Sequence, residues 1–276
     1  MAFRIVQHDS VPTTNDLIKD AIKQDQPEGL VHCALKQTAG YGRQGRTWVS
    51  PYGGLYASFL LRPDVPVEQI STIALVVALA VRDAIVDAVK SCCVTVDGSM
   101  SDDFRGIEDA VKVKWPNDVV CDSGKLCGIS SELIRGALCI GIGINVFEPF
   151  GSMSVSGKNV PAYVADFIPG VNRKLQADSL DDAQRDLLIR VRDSLVSSFA
   201  RYYRMWESDG FAGCVDSFRS CMTMLGSRVE IVAVDGAPLS SGVVQGVADD
   251  GRLVLQDAAG SSVFVSSGEA HISRIS

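Results

Sequence analysis

Residues 111–146 read VKVKWPNDVVCDSGKLCGISSELIRGALCIGIGINV, and their pattern decides the class of fold. Val111 to Trp115, Leu126 to Ile134 and Ala137 to Val146 are short apolar runs rich in β-branched residues. Ser123-Gly124 and Arg135-Gly136 lie between them and suit tight turns. Strands joined this closely pair antiparallel, because a parallel crossover needs a dozen or more residues. The stretch therefore predicts an antiparallel meander and not a doubly wound βαβ arrangement.

Upstream, a short opening strand leads to Thr13 or Thr14, either of which suits a helix cap. The helix runs to about Lys23, with Asp16 favourably placed in its first turn. Leu30 to Lys36 and Leu55 to Leu61 read as strands on either side of a glycine-rich stretch. Ile70, Ile73, Ala74, Val77, Val81, Ala84, Ile85 and Ala88 recur at helical spacing and predict a long, mostly buried helix from Val67 to Lys90. Residues 97–110 carry five acidic side chains and almost no core material, which reads as a solvated loop.

Downstream, Leu188, Val191, Leu195, Phe199, Tyr202 and Trp206 predict a second long helix, and a shorter one falls near Phe211 to Met222. From Leu225 the texture changes to five short strands separated by turns such as Asp235-Gly236 and Asp250-Gly251, the signature of a small barrel. The expected architecture is α+β, with a mixed or antiparallel sheet packed against helices in residues 1–222 and a small β-barrel in residues 223–276.

Composition narrows the function. The chain has 276 residues, 46% of them hydrophobic and 21% charged, so it can bury a large core. A net charge of -7 argues against a broad basic face for nucleic acid, and no DNA-binding role is expected. No apolar run is long enough for a signal peptide or a membrane span, which points to the cytoplasm. The eight cysteines form no C-x-x-C pair and several sit in strand-like runs, where cysteine behaves as a small hydrophobe. His8, His32 and His271 lie far apart, and no metal site is expected.

Four segments carry chemistry. Gln37 to Trp48 holds three glycines in six residues, with Arg43 and Arg46 beside them; such a backbone approaches a ligand closely and the guanidinium forks suit phosphate or carboxylate. No acidic residue occurs from Gly29 to Pro63, so local potential is positive inside an acidic protein. The segment also reads as a solvated surface loop, and it matches neither a Walker loop nor a dinucleotide fingerprint. Lys114-Trp115-Pro116-Asn117-Asp118 brings a cation, an amide and a carboxylate to one sheet edge, or is simply a strand exit made of turn formers. Lys125 opens a strand that includes Gly128, and Gly141-Ile142-Gly143-Ile144-Asn145 alternates glycine with isoleucine, as where a ligand or another backbone comes close.

The order of these segments, with Thr13-Thr14-Asn15 before them and Gly268-Glu269-Ala270 near the end, resembles the biotin protein ligases, including the catalytic part of holocarboxylase synthetases. The resemblance spans nearly the whole chain. It implies a class II synthetase-like biotin/lipoate ligase fold with an SH3-like barrel. It also implies that ATP and biotin, with Mg2+, form biotinyl-5'-AMP, from which biotin passes to a lysine of the biotin carboxyl carrier domain of a carboxylase. Family members carrying a DNA-binding winged helix have it before the catalytic pattern, which begins here by Thr13.

By the same resemblance, Thr13, Thr14, Asn15, Gln37, Gly40, Tyr41, Gly42, Arg43, Trp48, Lys125 and Gly128 would bind biotin. Arg43, Arg46, Lys114, Asn117 and Asn145 would hold the nucleotide, and Lys125, Arg43, Arg46 and Asp118 would carry the catalysis. Tyr41 departs from the pattern, since many members have arginine there. The three glycines suit a lid over the ligand. A monomer and a homodimer both fit. The competing readings are a lipoate-protein ligase or octanoyl transferase, which acylates a carrier lysine too, and a biotin-sensing protein without transfer activity.

Overall fold

A computed structural model describes residues 2–92, 106–151, 160–233 and 235–272. Its larger sheet contains β1 (Arg4–Val11), β2 (Leu30–Gln37), β3 (Leu55–Leu61), β4 (Lys112–Lys114), β5 (Asp118–Cys121), β6 (Gly124–Ile134) and β7 (Ala137–Ile144). The strand order is β1-β2-β3-β7-β6-β5-β4, antiparallel throughout except that β1 and β2 run parallel. The meander expected from residues 111–146 is therefore present, with an additional strand, β5, in a stretch that the sequence pattern assigns to no element.

Helix α1 (Thr14–Lys23) connects the two parallel strands. Thr13 is its N-cap, accepting a hydrogen bond from the Asn15 amide at 3.3 Å. Its apolar stripe, Ile18, Ala21 and Ile22, packs on Leu30, Leu60, Ala137 and Cys139 and covers one face of the sheet.

The opposite face is covered by α3 (Ile73–Cys92), which follows the short α2 (Val67–Ile70), and by α5 (Asp182–Asp209). The short α4 (Ile107–Ala110) precedes β4; it takes up the end of the acidic stretch, whose residues 97–105 lie outside the described residues. Helix α5 begins with a capping box between Asp181 and Gln184. Phe199 of α5 stacks on Phe59 of β3, with ring centroids 4.2 Å apart and planes 3° from parallel. Truncating either ring to alanine would cost about 3–5 kcal/mol, because the space sits in a close-packed core.

After α6 (Val215–Cys221), strands β8 (Arg228–Val232), β9 (Pro238–Val247), β10 (Leu253–Gln256), β11 (Ser262–Val265) and β12 (Glu269–Ile272) form one antiparallel sheet in the order β11-β10-β9-β8-β12. Its inner residues Val229, Ile231, Val244, Leu253 and Leu255 join the core beneath the large sheet. Trp115 donates its indole N–H to the Gly251 carbonyl at 3.1 Å, and Thr223 donates to Val113 O at 2.9 Å. Gly251 has φ +83, and a Cβ there would lie 2.9 Å from Leu75 Cδ1, so only glycine lets that turn sit against α3.

Candidate active site

Two cross-strand rows floor a groove on the α1 side of the large sheet. His32, Ser58, Gly141 and Ser130 are successive partners across β2, β3, β7 and β6. Tyr56, Gly143, Gly128, Asp118 and Lys114 continue from β3 across β7, β6 and β5 to β4. Directly opposed residues share a face, so the second row sets a glycine pair beside a carboxylate and an ammonium.

The glycines are there to make room. A Cβ at Gly143 would come 2.5 Å from Trp48 Nε1, and one at Gly128 would come 2.9 Å from Trp48 Cζ3. A Cβ at Gly141 would fall 2.4 Å from Asn15 Oδ1 and 2.6 Å from Ser130 Oγ. Trp48 thus lies across the Gly128–Gly143 pair, and its buried indole N–H has no protein partner among the described residues.

Lys125 reaches this face through a register shift. Val119 pairs with Cys127 but Val120 pairs with Lys125, leaving Leu126 as an extra residue in β6. That bulge inverts the alternation and turns Lys125 toward Gly128 while Leu126 stays in the core. The carbonyls of the bulge are satisfied from β7's end: Asn145 Nδ2 donates to Lys125 O at 2.9 Å and Asn145 N to Leu126 O at 2.8 Å. Asn145 therefore braces the strand that presents Lys125. The Lys125 ammonium sits 2.7 Å from Asp118 Oδ1 and 5.2 Å from the Trp48 ring centre. The approach to Asp118 is poorly angled for a hydrogen bond, so the contact is chiefly ionic. The Lys114 ammonium, unlike its backbone, has no hydrogen bond or ion pair among the described residues. Burial lowers its pKa, partly offset by Asp118.

The glycine-rich stretch is a short hairpin. Gly42 N donates to Arg46 O at 2.8 Å and Trp48 N to Gly40 O at 3.0 Å, while Tyr41 and Thr47 face each other as a bridge. Gln44 (φ 58) and Gly45 (φ 72) are both left-handed, giving the two-residue turn that suits a twisted hairpin. Gly40 has no room for a Cβ, which would lie 2.4 Å from Ser50 Oγ. The space at Gly42 is open, with only Arg46 O within reach at 3.9 Å. Arg43 donates to Asn117 Oδ1 at 2.8 Å, and Asn117 Nδ2 donates in turn to Ile129 O at 2.8 Å. Arg46 points away, pairing with Glu269 of β12.

At the other end of the groove, α1 and β3 share a hydroxyl relay. Ser58 Oγ donates to Asn15 Oδ1 at 2.6 Å and lies 2.7 Å from Thr14 Oγ1. Each hydroxyl has one proton: Ser58 gives its own to Asn15, and Thr14 shares its proton between Ser58 Oγ and Gln37 Oε1, which lies 3.1 Å away. Gln37 Oε1 accepts from Thr14 N at 2.8 Å, and Gln37 Nε2 donates to Ser50 Oγ at 3.0 Å. Thr13, Thr14, Asn15 and Ser58 are all buried. Thr13's hydroxyl accepts in the cap, and Thr13, Thr14, Asn15 and Gln37 stand together at this end.

The residues singled out in the sequence thus gather at the two ends of one groove, with Arg46 turned to the second sheet and Asn145 placed behind Lys125. Sequence reasoning passed over Ser58, Ser130, Lys19 and Glu132. Ser58 did leave a signal, as the one serine inside the fully buried, mostly apolar run LYASFLL. Among the described residues no group of three or more His, Cys, Asp or Glu side chains is arranged to hold a metal.

Known proteins resemble this chain over most of its length. The chain is 28% identical over 265 residues to the bifunctional ligase/repressor BirA of Bacillus subtilis, covering 93% of this chain and 70% of that protein. It is 28% identical over 236 residues to the biotin--[acetyl-CoA-carboxylase] ligase of Paracoccus denitrificans, covering 84% of this chain and 85% of that one. The solved structure of biotin protein ligase from Aquifex aeolicus in complex with biotin and ATP shares the fold, with a TM-score of 0.71 and 24% identity over 98% of this chain and 99% of that one. Residues 224–272 match the biotin protein ligase C terminal domain. Residues 8–146, half of the chain, match the Biotin/lipoate A/B protein ligase family, and they contain every element of the groove from the α1 cap to the Asn145 brace: the chain belongs to that family.

Proposed function

We propose that the protein is an ATP-dependent biotin protein ligase that forms biotinyl-5'-AMP and transfers the biotinyl group to a lysine of the biotin carboxyl carrier domain of a carboxylase. One observation carries the reading most directly. A lysine aimed by a bulge onto a glycine floor, roofed by Trp48, stands beside a second half-buried lysine and opposite a hydroxyl and amide relay. Such a groove matches a ligand with a polar, uncharged head and a reacting carboxylate.

In the first step an oxygen of the biotin carboxylate attacks the α-phosphorus, a P–O–C mixed anhydride forms, and pyrophosphate leaves. Two anions must meet, so fixed positive charge and alignment supply most of the rate. Lys125 and Arg43 neutralise the carboxylate and the α-phosphate oxygens, Lys114 and Arg46 serve the polyphosphate, and Asn117 holds Arg43 in place. Arg46 must leave Glu269 to do so. Thr13, Thr14, Asn15 and Gln37 hold the ureido head, with Gly40, Tyr41 and Gly42 forming the wall and Gly128 part of the floor. Mg2+ arrives as part of the MgATP substrate.

In the second step the neutral amine of the carrier lysine attacks the acyl carbon and AMP leaves. Asp118 takes up the proton the amine sheds. The working division is a catalytic unit over residues 1–222 and a barrel over residues 223–276. Among the described residues no helix is long and apolar enough to cross a membrane; we place the enzyme in the cytoplasm, as a monomer or homodimer.

The test is ATP–pyrophosphate exchange with biotin or lipoate as the acid, followed by mass spectrometry of an unmodified carrier domain. Biotin-dependent exchange and one biotinylated lysine are expected. Exchange driven by lipoate but not biotin would replace this reading with lipoate ligation, and biotin binding with no exchange would leave a sensor.

A further inference from the structure

Lys19 belongs to none of the motifs above, yet this charged group on α1 reaches the hairpin at Tyr41. It lies one turn beyond Asn15, so both project from the same side of the helix. Its ammonium is 2.7 Å from Glu132 Oε2 and 5.0 Å from the centre of the Tyr41 ring. The other oxygen of Glu132, Oε1, accepts from the Tyr41 hydroxyl at 3.1 Å. Glu132 pairs with Cys139 across β6 and β7, two residues past Ser130, and so stands on the groove face. Burial works to lower the Lys19 pKa, but the contacts with Glu132 and Tyr41 outweigh it and hold the ammonium charged.

From this geometry we propose that Lys19 is a positioning residue for adenylate formation and retention, acting through Glu132 on Tyr41 at the root of the glycine-rich hairpin. The inference rests on the biotin ligase reading. Tyr41 faces Thr47 where the hairpin leaves the sheet, while Arg43 and Arg46 hold the tip to Asn117 and Glu269. The tip contacts use guanidinium groups that the phosphates will claim. The root contact uses none of them, so it survives ligand binding and fixes the wall beside Asn15 throughout the cycle. Lys19 supplies from the helix a positive charge that Tyr41 itself does not carry.

The experiment compares Lys19→Ala, Glu132→Gln, Tyr41→Phe, the double variant Lys19→Ala/Tyr41→Phe and Lys19→Arg with the wild type. Lys23→Ala is the control, since that lysine makes an exposed pair with Asp20 on the same helix. We measure KM for biotin, kcat, the release rate of biotinyl-5'-AMP without carrier, and tryptic cleavage at Arg43 and Arg46. Lys19→Ala, Glu132→Gln and Tyr41→Phe should each raise KM and speed adenylate release on the order of tenfold, with kcat changed much less. The double variant should be no worse than either single one, because the three groups act as a unit. Lys19→Arg should restore retention.

Wild-type release from Lys19→Ala, multiplying effects in the double variant, or an equal defect in Lys23→Ala would overturn the proposal. If the wild type forms no adenylate, the ligase reading fails instead. Hairpin cleavage then still decides on the clamp: faster cutting in Lys19→Ala keeps it and equal cutting removes it.

Discussion

Gly128 and Gly143 face each other across β6 and β7, and the indole of Trp48 lies over both. Neither position has space for a methyl group beneath the ring. Gly143→Ala should therefore push Trp48 out of the groove. Overpacking of this kind costs about 1–3 kcal/mol, which corresponds to roughly 5- to 150-fold in biotin affinity. The expected result is a raised Kd for biotin, measured by titration calorimetry, with a thermal midpoint near that of the wild type, because the ring can swing toward solvent. An unchanged Kd would mean that the roof is not part of the site.

Lys125 and Asp118 have mostly buried side chains and meet at 2.7 Å. Lys125→Ala removes charge that acts on the phosphoryl transition state, and a loss in kcat of about 10²–10³ is expected for one such group, with a much smaller change in biotin binding. It also strands the Asp118 carboxylate. Lys125→Ala/Asp118→Asn should recover the lost stability without recovering the rate. Stopped-flow adenylation and calorimetric melting separate the two; equal losses in binding and rate would refute the charge-stabilising role.

Ser58 is fully buried and links Thr14 to Asn15. Ser58→Ala leaves the Asn15 carbonyl oxygen without that donor, which costs about 1–3 kcal/mol. Melting should detect the loss, and KM for biotin should rise while KM for ATP stays put. A matching rise in both would place Ser58 outside the head-group pocket.

His8 and His32 share a hydrogen bond, Nε2 to Nδ1 at 2.8 Å, on β1 and β2. Burial, helped by His8 and Arg4, holds the His32 pKa below its ordinary value of 6.5. A lowered folded pKa means the unfolded chain takes up the proton first as pH falls. The stability contributed by neutral His32 is thus complete above pH 6.5 and is lost as pH drops through the lower folded value. Denaturation by urea across that range should show a slope that His32→Gln flattens. A slope that persists in His32→Gln would assign it to other groups.

Much of the fold was legible because it rests on local periodicity. The stripe from Ile70 to Ala88, expected as one helix from Val67 to Lys90, became α2 and α3 with a break at residues 71–72; that from Leu188 to Trp206 became α5, and the spaced short runs after Leu225 became β8 to β12. Strand β5 was hidden, since Pro116-Asn117 reads as an exit while Asp118–Cys121 is held by neighbours on both sides. The parallel pairing of β1 with β2 was hidden for the same reason: it depends on where α1 returns the chain.

The sequence by itself determined the residue types of the site: the hairpin glycines, the arginines beside them, a stretch free of acids, and lysines at 114 and 125. Only tertiary structure decided which of them share a face. Side-chain alternation has period two, so one extra residue at Leu126 moves Lys125 across the sheet, and one partnership between Ser58 and Gly141 brings a strand residue under α1. Lys19 and Glu132 show the same limit, because a contact between an α1 residue and a β6 residue is fixed by packing and leaves no spacing to read.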